Sequence, residues 1–371
     1  MFELVKLVYA NIKESHTMSN YIEFGNKVAF HPGYYIKEVI DESGLTQADF
    51  ARRLGTTPKN LSILVRGEQS LSVDIANKLS RMLGTSASYW LGLQMAYDEL
   101  TIEFMRIEEL DRERDTFRLI DYGYFRDNFG FPDLPRKVDE QIAKVREYLS
   151  VASLTVLEEK DLAVDFRCYK EDMSRSNIVN SNVMLQIAVN ETLKTRTTKF
   201  DRKLFEERVD SLLKYSKTHD GFLPALKDEL MSCGVYLVVL PNIKNSGISG
   251  ATKKVGGKVM IFVNDRRHFE DTFWFTLFHE IGHVLNGDLG ASTEKEADAD
   301  DYARRMLIPE EEYNDFIVSC DSFNEKNIKS FADSIDRDPG IVLGRLLLEH
   351  KVSYSDTELC KRLRHTFNAL K

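Results

Sequence analysis

The segment TFWFTLFHEIGHVLNG, Thr272–Gly287, predicts a buried helix with a polar site on one face. His279 and His283 are four residues apart, and residues at this spacing share one face of an α-helix. Most of their neighbours are apolar, so the histidines and Glu280 would be buried and would need polar partners. In the HExxH arrangement, two imidazoles bind one zinc ion and the glutamate between them acts as general base. The segment therefore predicts His279 and His283 as Zn²⁺ ligands and Glu280 as the catalytic base. The alternative interpretation is a helix whose histidines lie at a polar edge.

A second segment, Glu294–Pro309, predicts the helix that completes this site. It is dense in acidic residues and ends at its proline. Glu296 and Asp300 share one helix face, which suggests one carboxylate as the third ligand and the other as the hydrogen-bond partner of a ligating histidine. Glu294 and Asp298 form a second pair with the same spacing, so spacing alone does not choose between the pairs. A solvated acidic face is the alternative interpretation.

Together the two segments resemble the ImmA/IrrE family of zinc metallopeptidases. The resemblance rests on HEIGH and on the pattern E-x-x-A-D-x-Y-A-x-x-x-L-I-P that follows it. The stretches ISGAT before the motif and PGIVLGRL after it extend the resemblance. It implies that Glu296 is the third ligand, with Asp298 as the fallback, and that Asp300 orients a ligating histidine. It also implies an endopeptidase that cleaves a partner repressor at limited sites.

Capping and stop residues near the N-terminus predict a series of short helices. Serine or threonine precedes the start of most of them, and glycine follows the end. The predicted helices run from His31-Pro32-Gly33 to about Glu42, from Gln47 to Leu54, from Lys59 to Val65 and from Val73 to Leu83. The second and third helices are joined by a tight turn at Gly55, which is the signature of a helix-turn-helix whose third helix enters the major groove.

The recognition helix of this motif supplies the candidate DNA contacts. Its first residues, Lys59, Asn60 and Ser62, would face base edges. Gln47, at the start of the preceding helix, and Arg66, after the recognition helix, would bind phosphates.

Charge is unevenly distributed along the chain. Phe30–Met95 has seven basic and six acidic residues, whereas the whole chain has a net charge of −9. A nucleic-acid surface therefore belongs to the first hundred residues, because the remainder would repel a phosphate backbone. Such a weak positive charge leaves a small helical bundle for protein contacts as the alternative interpretation.

The stretch from Phe30 to Asp98 is similar to the HigA branch of the XRE-type helix-turn-helix regulators, which are antitoxins that repress their own promoters. The sequence departs from that pattern at Ile63, where arginine is frequent, and at Glu68, where lysine is frequent. Both departures remove positive charge near DNA. The resemblance therefore implies modest affinity or a homodimer on two half-sites, and it adds a toxin as a further partner.

Cysteine usage and hydropathy indicate the compartment. The four cysteines are scattered and form no CxxC pair, which is typical of a reducing cytoplasm. No apolar run approaches the length of a membrane span, and the N-terminus lacks a cleavage site for a signal peptidase. We therefore expect a cytoplasmic protein, with translation starting at Met1 or at Met18.

These patterns predict a mainly α-helical chain with a small β-sheet, an α+β fold. We expect an N-terminal extension (1–29), a five-helix-type helix-turn-helix domain (30–98), a helical connector (99–218) and a zincin-like metallopeptidase domain (219–371). The sheet would contain strands at 235–240, 248–253 and 258–263, and the last of these would lie over the active site and pair with a substrate along its edge.

The combined prediction is a cytoplasmic, antitoxin-like transcriptional regulator with a fused zinc endopeptidase. Its partners would be operator DNA and a protein substrate, itself a repressor or an antitoxin-like regulator. The main alternative is a DNA-binding antitoxin or repressor whose peptidase-like domain senses a signal or binds a partner without proteolysis. A housekeeping protease is a third alternative, and it fits poorly with a fused helix-turn-helix.

Overall fold

The computed structural model describes residues 20–24, 27–159, 173–195, 198–287 and 296–370. The chain divides into two compact units, residues 1–111 and residues 112–371. The division falls inside one long helix, Ala87–Phe117. The four domain ranges inferred from the sequence stay a prediction.

The N-terminal unit contains a hairpin and a set of helices. Strands β1 (Tyr21–Phe24) and β2 (Lys27–Phe30) pair antiparallel, with Tyr21 opposite Phe30. The residue pattern of this stretch does not predict the hairpin. The helices of this unit are α1 (Pro32–Ser43), α2 (Gln47–Leu54), α3 (Pro58–Val65), α4 (Val73–Leu83) and α5 (Ala87–Phe117).

Side-chain caps fix the starts of these helices, as the sequence predicts. The hydroxyl of Thr46 accepts a hydrogen bond from the Asp49 backbone N–H at the start of α2. Thr57 caps α3 in the same way, and Ser72 caps α4. Each cap satisfies a backbone donor that has no partner inside its helix, which is why α2 and α4 begin where the sequence places them.

Helix α5 differs from its prediction. The sequence predicts that a helical connector begins at residue 99, but α5 runs without a break from Ala87 to Phe117. No proline interrupts this run, and its single glycine, Gly92, lowers helix stability without ending the helix. The predicted boundary between residues 98 and 99 therefore lies within a continuous helix.

The C-terminal unit is built on a three-stranded sheet surrounded by helices. Its strands are β3 (Val235–Leu240), β4 (Gly250–Val255) and β5 (Lys258–Asn264), in the spatial order β3-β5-β4. Its helices are α6 (Tyr122–Phe129), α7 (Val138–Leu149), α8 (Arg175–Lys194), α9 (Arg202–Val209), α10 (Phe222–Ser232), α11 (Glu270–Asn286), α12 (Glu296–Leu307), α13 (Glu310–Ser319), α14 (Glu325–Ser334), α15 (Pro339–Leu348) and α16 (Thr357–Leu363). Two 3₁₀ segments, Leu154–Glu158 and Asp210–Lys217, lie among them.

Strand β5 cannot hold a substrate by edge pairing, and that expectation is wrong. It pairs parallel with β3 and antiparallel with β4, so both of its edges are already hydrogen-bonded. Among the described strands of this sheet, β4 is at the edge beside the zinc-helix candidate, α11.

The core of the C-terminal unit lies between the sheet and α11. Many of its buried residues come from α10, β3, β5, α11 and α15, among them Leu226, Leu237, Ile261, Trp274, Phe278 and Leu346. The fold class is confirmed as mainly helical with small sheets. Within the described ranges, no helix is long and apolar enough to cross a membrane.

Candidate metal centre and helix-turn-helix surface

The two histidines of the HExxH motif converge on one carboxylate. His279 and His283 lie on α11, and Glu296 is the first residue of α12. The Nε2 atoms of the histidines are 3.1 Å apart. Glu296 Oε2 is 3.3 Å from His279 Nε2, and Glu296 Oε1 is 3.4 Å from His283 Nε2. We call these three residues the first cluster.

These distances fit a zinc ion. Ligand atoms at tetrahedral corners about 2.0 Å from the metal are about 3.3 Å from one another. The three separations in the first cluster, 3.1 to 3.4 Å, match that value without any movement of the side chains. Two imidazoles and one carboxylate are also the donor set of catalytic zinc sites, which leave the fourth position open.

Asp300 orients His279. Its Oδ1 lies 2.8 Å from Nδ1 of His279, on the opposite side of the ring from Glu296. A proton on Nδ1 would leave the Nε2 lone pair directed at the centre of the cluster, which is how a carboxylate fixes the tautomer of a metal-ligating histidine.

The charges around the first cluster favour a cation at its centre. Burial opposes charge on His279, but hydrogen bonds to Asp300 and Glu296 outweigh it and raise the pKa of the imidazole to about 10. Burial likewise disfavours an ionised Glu296, yet His279 and His283 lower the pKa of its carboxyl to about 2. The carboxylates of Glu296 and Asp300 therefore stabilise positive charge between them, and a bound divalent cation would supply that charge.

Close contact between α11 and α12 brings Glu296 to the histidines. Gly282 faces α12, and a Cβ atom at this position would lie 3.2 Å from Cα of Ala299 and 3.2 Å from Tyr302. Ala299 and Ala303 are fully buried on the facing side. Small side chains on both helices thus allow the approach.

Glu280 is buried beside the first cluster and held by the sheet. Its Oε2 accepts a hydrogen bond of 2.6 Å from the Thr252 hydroxyl on β4. A Cβ atom at Gly250 would lie 2.5 Å from Glu280 Oε1, so glycine is required for the strand to pass this carboxylate. Burial raises the pKa of the Glu280 carboxyl above its usual value, which suits a general base.

The first cluster and Glu280 line an open cleft of about 1000 Å³. Residues of β4, of α15 and of the C-terminal segment contribute to its lining. Apolar and basic side chains share the lining, among them Phe275, Ile341, Arg345, Leu348, Tyr354 and Arg364. A cleft of this size accommodates several residues of an extended peptide.

The other acidic pair of the prediction, Glu294 and Asp298, contributes no described residue to this site. Asp298 is exposed on α12 and is not part of the first cluster. Glu294 falls outside the described residues. The residues that meet at the first cluster, His279, His283 and Glu296, are those that the family resemblance implies as ligands.

Two of the predicted DNA contacts of the helix-turn-helix line one groove. Lys59 and Asn60, at the start of α3, line a shallow groove with Ile63 and the turn at Gly55. Lys59 is exposed, and the Asn60 amide donates to the Thr56 hydroxyl at 3.0 Å.

The surroundings of Arg66 and Gln47 limit their predicted roles as phosphate contacts. Arg66 forms a bidentate ion pair with Glu68, at 2.7 and 2.9 Å, and donates to the Ser62 hydroxyl at 2.5 Å. This guanidinium is therefore already engaged by a carboxylate. Nε2 of Gln47 is buried and has no hydrogen-bond partner among the described residues, so its side chain would have to turn outward to reach a phosphate.

The sequence does not predict Thr252 as the partner of Glu280, and it does not predict a second group of histidines in the C-terminal unit. That group contains His219, Asp338 and His365. No spacing in the sequence predicts this group, because its members come from three distant segments of the chain.

Comparison with known proteins identifies the N-terminal part of the chain. A helix-turn-helix family, HTH_3, matches residues 36–90. The chain is 36% identical over 90 residues to the HTH-type transcriptional regulator YddM of Escherichia coli K12, covering 23% of this chain and 96% of that protein. It is 34% identical over 71 residues to virulence-associated protein I of Dichelobacter nodosus, covering 19% of this chain and 66% of that protein.

Two solved structures are also similar. Antitoxin GraA is 34% identical, with 22% of this chain and 87% of that chain covered and a TM-score of 0.21. PA4674 of Pseudomonas aeruginosa, solved in complex with its operator DNA, is 29% identical, with 24% and 94% covered and a TM-score of 0.22.

The chain therefore belongs, through its N-terminal part, to the helix-turn-helix family of transcriptional regulators. Each of these matches covers less than a quarter of the chain. The role of the C-terminal unit is argued from its geometry.

Proposed function

We propose that this protein is a DNA-binding regulator whose C-terminal unit is a zinc endopeptidase that cleaves a partner regulator protein. The observation that carries the proposal is the first cluster, in which His279, His283 and Glu296 hold their donor atoms 3.1 to 3.4 Å apart. The buried base Glu280 and the open cleft around it supply the other requirements of peptide hydrolysis.

The residues of the chain have distinct roles in this reaction. His279, His283 and Glu296 would hold Zn²⁺, which supplies Lewis acidity toward water and a peptide carbonyl. Glu280 would accept a proton from the attacking water and pass it to the leaving amine. The proton would be held at Oε1, because Oε2 accepts the Thr252 hydrogen bond.

The N-terminal unit would direct the protein to an operator. Helix α3 would enter the major groove, with Lys59 and Asn60 facing bases. Gln47 would bind a phosphate once its buried Nε2 turns outward. A homodimer would read two half-sites, in the manner of helix-turn-helix regulators. The substrate would be a repressor or antitoxin-like protein acting at the same promoter, and a toxin is a further partner.

Metal content tests the peptidase proposal. The full chain, stripped with chelator and offered Zn²⁺, is compared with Glu296→Ala and with the matched control Asp298→Ala. We expect zinc to leave the first cluster only in Glu296→Ala, because Asp298 is exposed and outside the cluster. A chain that binds no zinc at His279 and His283 would overturn the proposal.

DNA binding tests the regulator proposal. Because Glu68 holds Arg66 in a bidentate ion pair, we expect Glu68→Gln to free the guanidinium for a phosphate and to tighten operator binding. The slope of log K against log salt should steepen by about one unit, as for one added phosphate contact. Fluorescence anisotropy on operator DNA at several salt concentrations measures both quantities. Arg66→Ala is the matched control, and in that background Glu68→Gln should leave the slope unchanged.

A further inference from the structure

A second group of histidines lies in the C-terminal unit, apart from the first cluster. His219 precedes α10, Asp338 caps the start of α15, and His365 follows α16. Each offers one donor atom, and the three atoms lie within 4.8 Å of one another. Asp338 Oδ2 is 3.5 Å from His219 Nε2 and 3.9 Å from His365 Nε2. We call these three residues the second cluster.

The second cluster repeats a detail of the first. Nδ1 of His219 lies 2.8 Å from Oε2 of Glu270, while its Nε2 faces Asp338. In the first cluster, Nδ1 of His279 lies 2.8 Å from Asp300, while its Nε2 faces Glu296. A carboxylate on Nδ1 that leaves Nε2 directed at a donor group is typical of metal-ligating histidines.

We propose that His219, Asp338 and His365 bind a second divalent transition-metal ion of the zinc type. The ligands would be Nε2 of each histidine and Oδ2 of Asp338, with Glu270 orienting His219. Two imidazoles and a carboxylate suit Zn²⁺ better than Mg²⁺ or Ca²⁺, which prefer oxygen ligands alone.

The buried carboxylates supply an independent reason for a cation here. The side chains of Glu270 and Asp338 are only 6% and 10% exposed. Asp338 Oδ1 is satisfied by the Gly340 backbone N–H at 2.7 Å, which leaves Oδ2 for the histidines. A bound cation would neutralise this concentration of negative charge.

The ring geometry indicates how the site would close on a metal. The His219 and His365 rings are stacked, with centroids 3.5 Å apart and planes 15° from parallel. A metal ligated by an imidazole lies near the plane of that ring, so two parallel rings cannot both bind one ion. His365 is the more exposed of the two, at 44% against 34%, and we expect its ring to tilt when the metal binds.

A metal at the second cluster would hold in place the C-terminal segment that lines part of the cleft. Arg364, next to His365, forms a bidentate ion pair with Asp271 on α11 and lines the cleft. The Glu270 backbone N–H donates to the His365 carbonyl at 3.0 Å. The second cluster thus ties the C-terminal segment to the starts of α11 and α15, whose other ends lie at the catalytic cleft.

Zinc stoichiometry tests the inference on the full chain. The chain is stripped with chelator, offered a small excess of Zn²⁺, freed of unbound metal by gel filtration and analysed by mass spectrometry for zinc per chain. His365→Gln removes the second cluster, and His279→Gln removes the first. His350→Asn is the matched control, since His350 is exposed, belongs to neither cluster and has a left-handed backbone that asparagine tolerates.

We expect two zinc ions per chain in the wild type and in His350→Asn, and one in each of the other variants. One ion that is lost in His279→Gln and retained in His365→Gln would overturn this inference and leave the peptidase proposal standing. One ion that is lost only in His365→Gln would support the inference and overturn the peptidase proposal. Absence of zinc from the wild type would overturn both.

A titration of the wild type covers the case in which His365→Gln fails to fold. Zinc is added to the stripped chain in competition with a chromophoric chelator. Two binding steps, one of them lost in a folded His219→Gln variant, support the second cluster. A single step that survives in His219→Gln overturns it.

Discussion

The two histidine clusters of the C-terminal unit contain the same donor groups but differ in how firmly those groups are held. In the first cluster, both histidines lie on one helix, with rings 82° apart and side chains 16% and 4% exposed. In the second cluster, the histidines come from separate segments, their rings are stacked, and both are about one-third to one-half exposed. The first therefore has its ligands in place before a metal arrives, and the second must rearrange to bind one.

This difference predicts a difference in affinity and in role. A preorganised site loses little conformational freedom on binding, so the first cluster should bind zinc more tightly than the second. Among the described residues, the cleft is lined by the first cluster and by the buried carboxylate of Glu280, and by no member of the second cluster. Hydrolysis should therefore depend on the first cluster, and the second should act on the structure around the cleft.

The largest expected effect comes from Glu280→Gln. Loss of the general base should lower kcat/KM by about 10²–10⁴-fold, while zinc content stays at the wild-type value. The measurement uses a peptide library derived from a bacterial proteome, with the products of wild type and variant compared by mass spectrometry. Equal cleavage by the two chains would show that Glu280 is not the base. A wild type that holds zinc at the first cluster and cleaves nothing would favour a partner-binding or sensing role for this unit.

A smaller effect separates the two clusters through their orienting carboxylates. Asp300→Asn should weaken zinc binding at the first cluster by about 10–100-fold, and Glu270→Gln should do the same at the second. Each variant should leave the other cluster unchanged, because the two carboxylates contact different histidines. Competitive zinc titration measures both affinities, and a variant that weakened both sites equally would contradict this division.

The sequence predicts the first cluster well because its chemistry is local. His279, Glu280 and His283 fall within one turn and a half of α11, so the helical period alone puts them together. The starts of α2, α3 and α4 are predictable for the same reason, since each depends on a cap a few residues away. Glu296 required the family resemblance, because two acidic pairs on α12 have the same spacing.

The second cluster could not be predicted, because its contacts depend on tertiary packing. His219 and His365 are stacked only after the C-terminal segment has packed beside the start of α11. The Thr252 contact to Glu280 likewise depends on β4 lying at the sheet edge nearest α11, an order that the sequence left open. The length of α5 was missed for another reason, since a helix without a breaker has no local signal of where one domain ends.

Packing between α11 and α12 gives a third test that should act on the first cluster alone. Gly282→Ala would place a methyl group 3.2 Å from Cα of Ala299 and push α12 away from the histidines. We expect a loss of about 1–3 kcal/mol in the free energy of unfolding and weaker zinc binding at the first cluster. Chemical denaturation and zinc titration measure the two effects.

Gly92→Ala is the matched control for that variant. A Cβ atom at Gly92 meets nothing within 4 Å, and the residue lies inside the long helix α5. Alanine there should stabilise the chain by up to about 1 kcal/mol, because glycine lowers helix stability. If Gly282→Ala and Gly92→Ala had the same effect on the free energy of unfolding and on zinc binding, close helix packing at Gly282 would not explain the position of Glu296.

The smallest expected effect is a pH dependence that belongs to the second cluster. Burial raises the pKa of the carboxyls of Glu270 and Asp338. A carboxyl with a raised pKa in the folded state favours folding at low pH, and this stabilisation is lost as pH rises from its ordinary pKa, about 4, through the raised value. The metal-free chain should therefore lose stability over that interval, and zinc should oppose the loss because a cation favours the ionised carboxylates.

Thermal unfolding of metal-free His279→Gln measures this effect, since that variant leaves only the second cluster able to bind zinc. Asp271, which burial shifts in the same direction, contributes to the slope as well. Adding Glu270→Gln to the same chain isolates the part that arises at the second cluster, and it should make the loss of stability with rising pH smaller. If stability fell equally with rising pH in the chains with and without Glu270→Gln, the pH dependence would arise outside the second cluster. The second cluster would then lack the buried negative charge that distinguishes it from the first.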